Sequence, residues 1–185
     1  VSTNNLVLNK LFTQHVFKDL LNDGENSVYG TVIKRYLDNS ASKDNGKLIS
    51  EIYQVLSNSY RNEYFYMNTL LNKLLLGKHS INTTTALTQI PIGKSKADFI
   101  LINGKAVVYE IKTELDSFER LDTQLANYYR AFDHVCVVIS ENSYKKLSTL
   151  LQNTSVGIYV LTKRNTLSSS MCKEPIADTK SLGYE

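Results

Sequence analysis

Residues Lys96–Thr113 read K-A-D-F-I-L-I-N-G-K-A-V-V-Y-E-I-K-T. Two apolar runs flank Asn103-Gly104, the strongest short-range signal for a β-hairpin. Three charges interrupt the pattern: Asp98 near the start of the first strand, and Glu110 and Lys112 at the close of the second. On central strands such charges are costly, because a buried ion must be paired or metal-bound. A metal site is the most economical explanation.

Strand parity puts a condition on that reading. Side chains alternate across a strand, so Glu110 and Lys112 share a face. A two-residue turn at Asn103-Gly104 pairs Asp98 with Tyr109 and leaves it on the opposite face. A three-residue loop, Ile102-Asn103-Gly104 with Gly104 left-handed, pairs Asp98 with Val108 and returns it to the face of Glu110. The site therefore requires the odd-membered turn or an equivalent bulge.

Upstream, apolar residues recur at a helical period over Leu6–Leu21, Val28–Leu37, Lys47–Ser57 and Tyr60–Leu76. Asp23-Gly24 ends the first and Gly77 the last. The β-branched run Ile81–Ile90 reads as a strand, and P-I-G-K-S-K as a loop leading into the hairpin. Downstream, Asp116 and Glu119 form a capping-box pattern that opens a helix to Phe132. His134–Ile139 is a short buried strand, Ser140 caps a helix through Leu151, and Val156–Leu161 is the last strand. The segments expected are a helical N-terminal portion (1–59), a core (60–161) and a polar, loosely held tail (162–185) of one domain. Strand, helix and strand in alternation after a hairpin imply an α/β fold with a mixed sheet.

At 185 residues and 42% hydrophobic composition, the chain can close one sizeable core. A net charge of +3 permits a polyanionic partner without demanding one. No long apolar run predicts a membrane span or a secretory signal, and Val1 in place of a start Met suggests a trimmed chain. Cys136 and Cys172 fit the reduced thiols of a cytoplasmic protein. The three histidines, His15, His79 and His134, are too scattered for a zinc cluster.

Asp98, Glu110 and Lys112, in the pattern D-x11-E-x-K, resemble the signature of the PD-(D/E)XK nuclease superfamily. Gln124 and Tyr128 supply Q-x-x-x-Y on the following helix, similar to its RecB-like branch and to an uncharacterised bacterial family within it. The resemblance spans roughly Tyr60 to Leu161; one departure is Ala97 where a Pro commonly precedes the acid. It implies a restriction-endonuclease-like αβββαβ core and a further acid from the preceding helix, which in R-N-E-Y is Glu63. It implies Mg²⁺ or Mn²⁺ held by Glu63, Asp98, Glu110 and the carbonyl of Ile111. Lys112 would orient the attacking water, stabilise developing charge, or act as base. Gln124 would position substrate or the lysine, with Tyr128 beside the site. Apart from the resemblance, Tyr128 is a weak candidate for stacking on bases, and Lys94 and Lys96 are candidates for phosphate contacts, set against the plainer reading of a solvated surface.

The expected partner is DNA, with RNA, a homodimer and a protein partner left open. Taken singly, the same residues have plainer uses: Asp98 as a strand-entry cap, Glu110 and Lys112 as a surface pair, Glu63 as a solvated helix acid. Glu114 and Asp116 read as helix-entry residues. Two alternatives stand beside a nuclease: a non-catalytic nucleic-acid-binding or assembly module, and a toxin domain with a cognate inhibitor.

Overall fold

The structure, a computed structural model, describes residues 6–22, 24–76 and 82–178. Asp23, Gly77 and Ile81, to which the sequence assigns two helix stops and a strand start, lie outside them, as does His79. The chain forms two compact units, Val1–Phe65 and Tyr66–Glu185.

The first unit is helical: α1 (Leu8–Leu11), α2 (Gln14–Leu21), α3 (Ser27–Tyr36), α4 (Asn45–Ser59) and the start of α5 (Glu63–Leu71). The single helix expected over Leu6–Leu21 is broken at Phe12-Thr13. Thr13 turns extended and caps α2 by accepting from the Val16 amide, while Phe12 stacks on Tyr64 at 4.6 Å between ring centroids. A capping side chain and a ring with an aromatic partner thus override an uninterrupted apolar period. Asn26 and Asp44 cap α3 and α4 in the same way, and Leu8, Val32, Ile52 and Leu56 are fully buried.

The second unit carries a five-stranded sheet in the order β1-β2-β3-β4-β5, formed by Thr85–Ile92, Ser95–Asn103, Lys105–Lys112, His134–Ser140 and Gly157–Leu161. The first three strands are antiparallel, and β3, β4 and β5 are parallel. Helix α6 (Leu121–Tyr129) joins β3 to β4, and α7 (Tyr144–Leu150) precedes β5. This is the α/β mixed sheet and the αβββαβ order expected from the sequence.

One apolar face of the sheet, including Ile100, Val108, Val137, Ile139 and Val160, packs with Leu121, Leu125 and Tyr128 of α6 and with Leu147 of α7. Phe99, Tyr109 and Tyr159 form a chain of ring contacts. Alternation assigns these three to the other face.

Several boundaries depart from the sequence reading. Strand β1 continues through Pro91 to Ile92, which faces Ser95 across Gly93-Lys94. The proline is tolerated because β1 is an edge strand, where its missing N–H breaks no ladder bond. Helix α6 starts at Leu121, not Asp116, because the Asp116 carboxylate is already taken by the Thr113 amide and hydroxyl. Ser140 gives α7 no side-chain cap; it bonds Ser143 across a 3-10 turn, Glu141–Ser143.

The tail is not loose through residue 178. Ile158 and Lys173 exchange both backbone hydrogen bonds, at 2.7 and 2.8 Å, Leu167 bridges Leu161, and the Ile176 amide reaches Ser155. An open β5 edge would leave a row of unpaired N–H and C=O groups, and the tail covers it.

Candidate active site at the end of β3

The hairpin turn decides where Asp98 falls. Ile102 pairs with Ala106, and Asn103 faces Lys105 across Gly104, whose φ of 71° is left-handed. The loop has odd parity, as the site requires, but its register differs from Ile102-Asn103-Gly104 by two residues. A two-residue slip leaves every side chain on the same face, so the apolar alternation cannot decide it and the turn does. The paired ladder ends at Phe99 and Tyr109. The next residues outward on the two strands are Asp98 and Glu110.

Glu110 and Lys112 are only 2% and 7% exposed. They share the face of Val108, toward α6, at the C-terminal end of a strand paired in parallel with β4. In open α/β sheets that end is where ligands bind. Lys112 Nζ lies 2.8 Å from Glu110 Oε1 and donates at 2.8 Å to Gln124 Oε1. The Gln124 amide nitrogen donates in turn to Glu110 Oε1. Tyr128 Oη lies 2.6 Å from Glu110 Oε2 and 2.9 Å from the Lys96 carbonyl, and its one proton serves one acceptor at a time.

Burial, then the Glu110 carboxylate and Asp98, push the Tyr128 phenol well above its ordinary range, so it stays a proton donor. Gln124 and Tyr128, one turn apart on α6, thus clamp the acid and the lysine from the same helix face.

Asp98 is half-buried. Its Oδ2 accepts from the Ile111 amide at 2.8 Å, so Ile111 joins the site through its N–H. Oδ1 has the Gln89 side-chain amide at 3.5 Å, the outer limit of a hydrogen bond. Gln89 holds a φ of 56°, and the β1–β2 register skips from Thr88 to Ile90 at this point. Non-glycine residues adopt that conformation rarely, and such strain clusters at functional sites. Nothing in T-Q-I-P marks Gln89 beforehand; the signal is conformational.

Glu63 stands in the first unit, exposed, at the start of α5. Lys94, on the β1–β2 turn, and Lys96, at the start of β2, are exposed and line one cleft with Arg120, Thr123 and Gln124. No motif or spacing singles out Arg120 or Thr123.

Among the described residues, no three His, Cys, Asp or Glu side chains form a metal-holding group. The cluster's own carboxylates are Asp98 and Glu110. Two carboxylates suit Mg²⁺, which binds hard oxygen through one or two acids and keeps several waters. Neither thiol nor imidazole belongs to the cluster, and two carboxylates are hard oxygen donors of the kind that suit Mg²⁺ or Mn²⁺.

Fold and site together define an α/β protein with a buried acid–lysine–glutamine cluster at the C-terminal end of a parallel strand. Residues 56–181 match the family of bacteriophage P4 protein cII, and the chain belongs to that family. No curated protein matches the chain. Among solved structures it is distantly similar to Pyrococcus furiosus SfsA in complex with Ca²⁺, with 13% identity and a TM-score of 0.31. That likeness covers 71% of this chain and 62% of the other, so the chain spans less than two thirds of the SfsA length. No helix among the described residues is long and apolar enough to cross a membrane.

Proposed function

We propose that the chain is a metal-dependent nuclease that hydrolyses DNA phosphodiester bonds, with Asp98, Glu110 and Lys112 at its centre. The observation that carries this reading is the buried Glu110–Lys112 pair clamped by Gln124 and Tyr128. Stability alone does not call for it, since a buried ion pair is often no better than well-packed apolar residues. Its position beside Asp98 at the end of β3 supports a reactive role.

Asp98 and Glu110 would hold Mg²⁺ or Mn²⁺, which when bound polarises a phosphoryl oxygen and makes hydroxide available near neutral pH. Lys112 Nζ, held between Glu110 and Gln124, presents an ammonium to the attacking water or to charge developing on the phosphate. Gln124 fixes that ammonium, and Tyr128, kept neutral, fixes the Glu110 carboxylate. Glu63 enters as a third acid only through the superfamily resemblance.

One observation favours the alternative of a non-catalytic nucleic-acid-binding module: both Glu110 oxygens already have protein donors. A single assay separates the two. Linear and closed circular plasmid are incubated with Mg²⁺, Mn²⁺ or EDTA, beside a Lys112→Ala control. Cleavage that needs the metal and Lys112 is expected, and cutting of closed circles would make the enzyme an endonuclease. Absence of such cleavage on DNA and on RNA would sink the enzyme reading.

A further inference from the structure

We infer that the cleft between the β1–β2 turn and the start of α6 seats a backbone phosphate of a nucleic-acid strand, one position along from the bond at Asp98 and Glu110. The place of that phosphate beside a scissile bond rests on the nuclease reading; its capture does not.

The cleft, of about 460 Å³, is lined by Lys94, Lys96 and Arg120 together with Ser95, Thr123 and Gln124. Three cations and two hydroxyls thus converge, with no carboxylate in the lining. Among the described residues, none of the three cations is in an ion pair. Elsewhere Lys43 and Lys112 do find carboxylates. Neighbouring cations repel one another, so a cleft of this kind is completed by an anion from outside. Gln124 belongs to both places: it lines the cleft, and its amide holds Lys112 and Glu110. A strand seated here continues directly onto the acid pair.

The cleft is also built to keep its shape. Asn127 of α6 donates to Ser95 Oγ at 2.9 Å, and Tyr128 bonds the Lys96 carbonyl at 2.9 Å. Between them Gly93 sits at φ 58°, where a Cβ would stand 2.8 Å from Asn127 Oδ1. A side chain at this position would be strained by the left-handed φ and would have to displace the Asn127 amide that holds Ser95. The turn is therefore latched onto α6, and Lys94 and Lys96 are held ready without a ligand.

The test is binding of a fluorescein-labelled oligonucleotide, single-stranded and duplex, measured by anisotropy in EDTA across a salt series. Cleavage cannot contribute there. The Lys94→Gln/Lys96→Gln/Arg120→Gln variant should bind at least about tenfold more weakly. Its slope of log K against log salt should flatten by about 0.7–0.9 for each phosphate that the variant no longer neutralises. Gly93→Ala should weaken binding with all three charges intact, whereas Lys34→Gln, in the first unit, should behave as wild type.

An unchanged slope and affinity in the triple variant would overturn the proposal. So would wild-type protein that binds no oligonucleotide, or equal displacement of the oligonucleotide by polyaspartate at matched charge. Binding with the expected slope but no cleavage in Mg²⁺ or Mn²⁺ would leave the cleft standing and remove the nuclease. Cleavage undiminished in the triple variant would do the reverse.

Discussion

Gln124 accepts a hydrogen bond from the Lys112 ammonium at 2.8 Å, across the gap between helix α6 and strand β3. A lysine 7% exposed needs its donors satisfied, and this bond is one of two that hold its position.

Gln124→Leu should remove the acceptor, cost about 1–3 kcal/mol of stability, and let the ammonium swing. Misplacement of a reacting group by about 1 Å costs on the order of 10²-fold in rate. We expect kcat to fall by that factor with KM little changed. A variant that cuts at the wild-type rate would show that Gln124 does not position the lysine.

Much of this cluster is legible in the sequence, because its members sit at fixed spacings on regular elements. Glu110 and Lys112 share a face by alternation, and Gln124 and Tyr128 share one by the helical period. The rest exists only through tertiary packing. Arg120 and Thr123 become part of a basic cleft only because Gly93 lets a turn approach α6. The tail reads as loose because its order comes from backbone bonds to β5, which composition does not encode. Alternation leaves the hairpin register open between two solutions of equal parity, and the Asn103–Lys105 turn chooses one.

The Glu110–Lys112 pair should give a non-additive cycle. Removing either partner leaves a buried charge uncompensated, and Lys112→Met or Glu110→Gln alone should cost about 3–5 kcal/mol. The double variant should be clearly more stable than the sum of the two losses predicts, and inactive. Denaturant unfolding of all four proteins measures this. Additive losses would mean that the two side chains do not depend on each other.

High pH should unfold the second unit before its tyrosines titrate. Burial raises the phenols of Tyr109, Tyr129 and Tyr159, that of Tyr129 to about 12. In the unfolded chain each ionises near its ordinary value of about 10. The folded state therefore binds more protons above that point. Stability is fully present below about pH 10 and falls as pH rises toward the folded values. The loss is roughly 1.4 kcal/mol per pH unit for each such tyrosine. Denaturant melts across the alkaline range, followed with phenolate absorbance, check it. Complete ionisation near pH 10 with native circular dichroism retained would contradict it.

Gly157 should tolerate no side chain. A Cβ there would stand 2.7 Å from the Pro175 nitrogen and 3.0 Å from the Lys173 carbonyl, both backbone atoms of the covering tail. Gly157→Ala must push the tail from β5 and should cost about 1–3 kcal/mol. Hydrogen exchange at Ile158 and Lys173, which bond each other, should accelerate. Unaltered protection at both amides would mean that the tail adjusts without leaving the strand.

Gln89 offers the sharpest separation of activity from stability. Its φ of 56° is costly for a side chain with a Cβ, on the order of 1 kcal/mol, and glycine adopts it freely. Gln89→Gly should therefore hold or raise the thermal midpoint, although glycine also loosens the unfolded chain. The same change removes the amide that stands 3.5 Å from Asp98 Oδ1, the acid level with Glu110 across the hairpin. Activity should fall several-fold while stability does not. Gln89→Ala keeps the strain and loses the amide, so it should be both less stable than Gln89→Gly and no more active. If Gln89→Gly cuts as well as wild type, the strained residue serves the sheet edge rather than the acid.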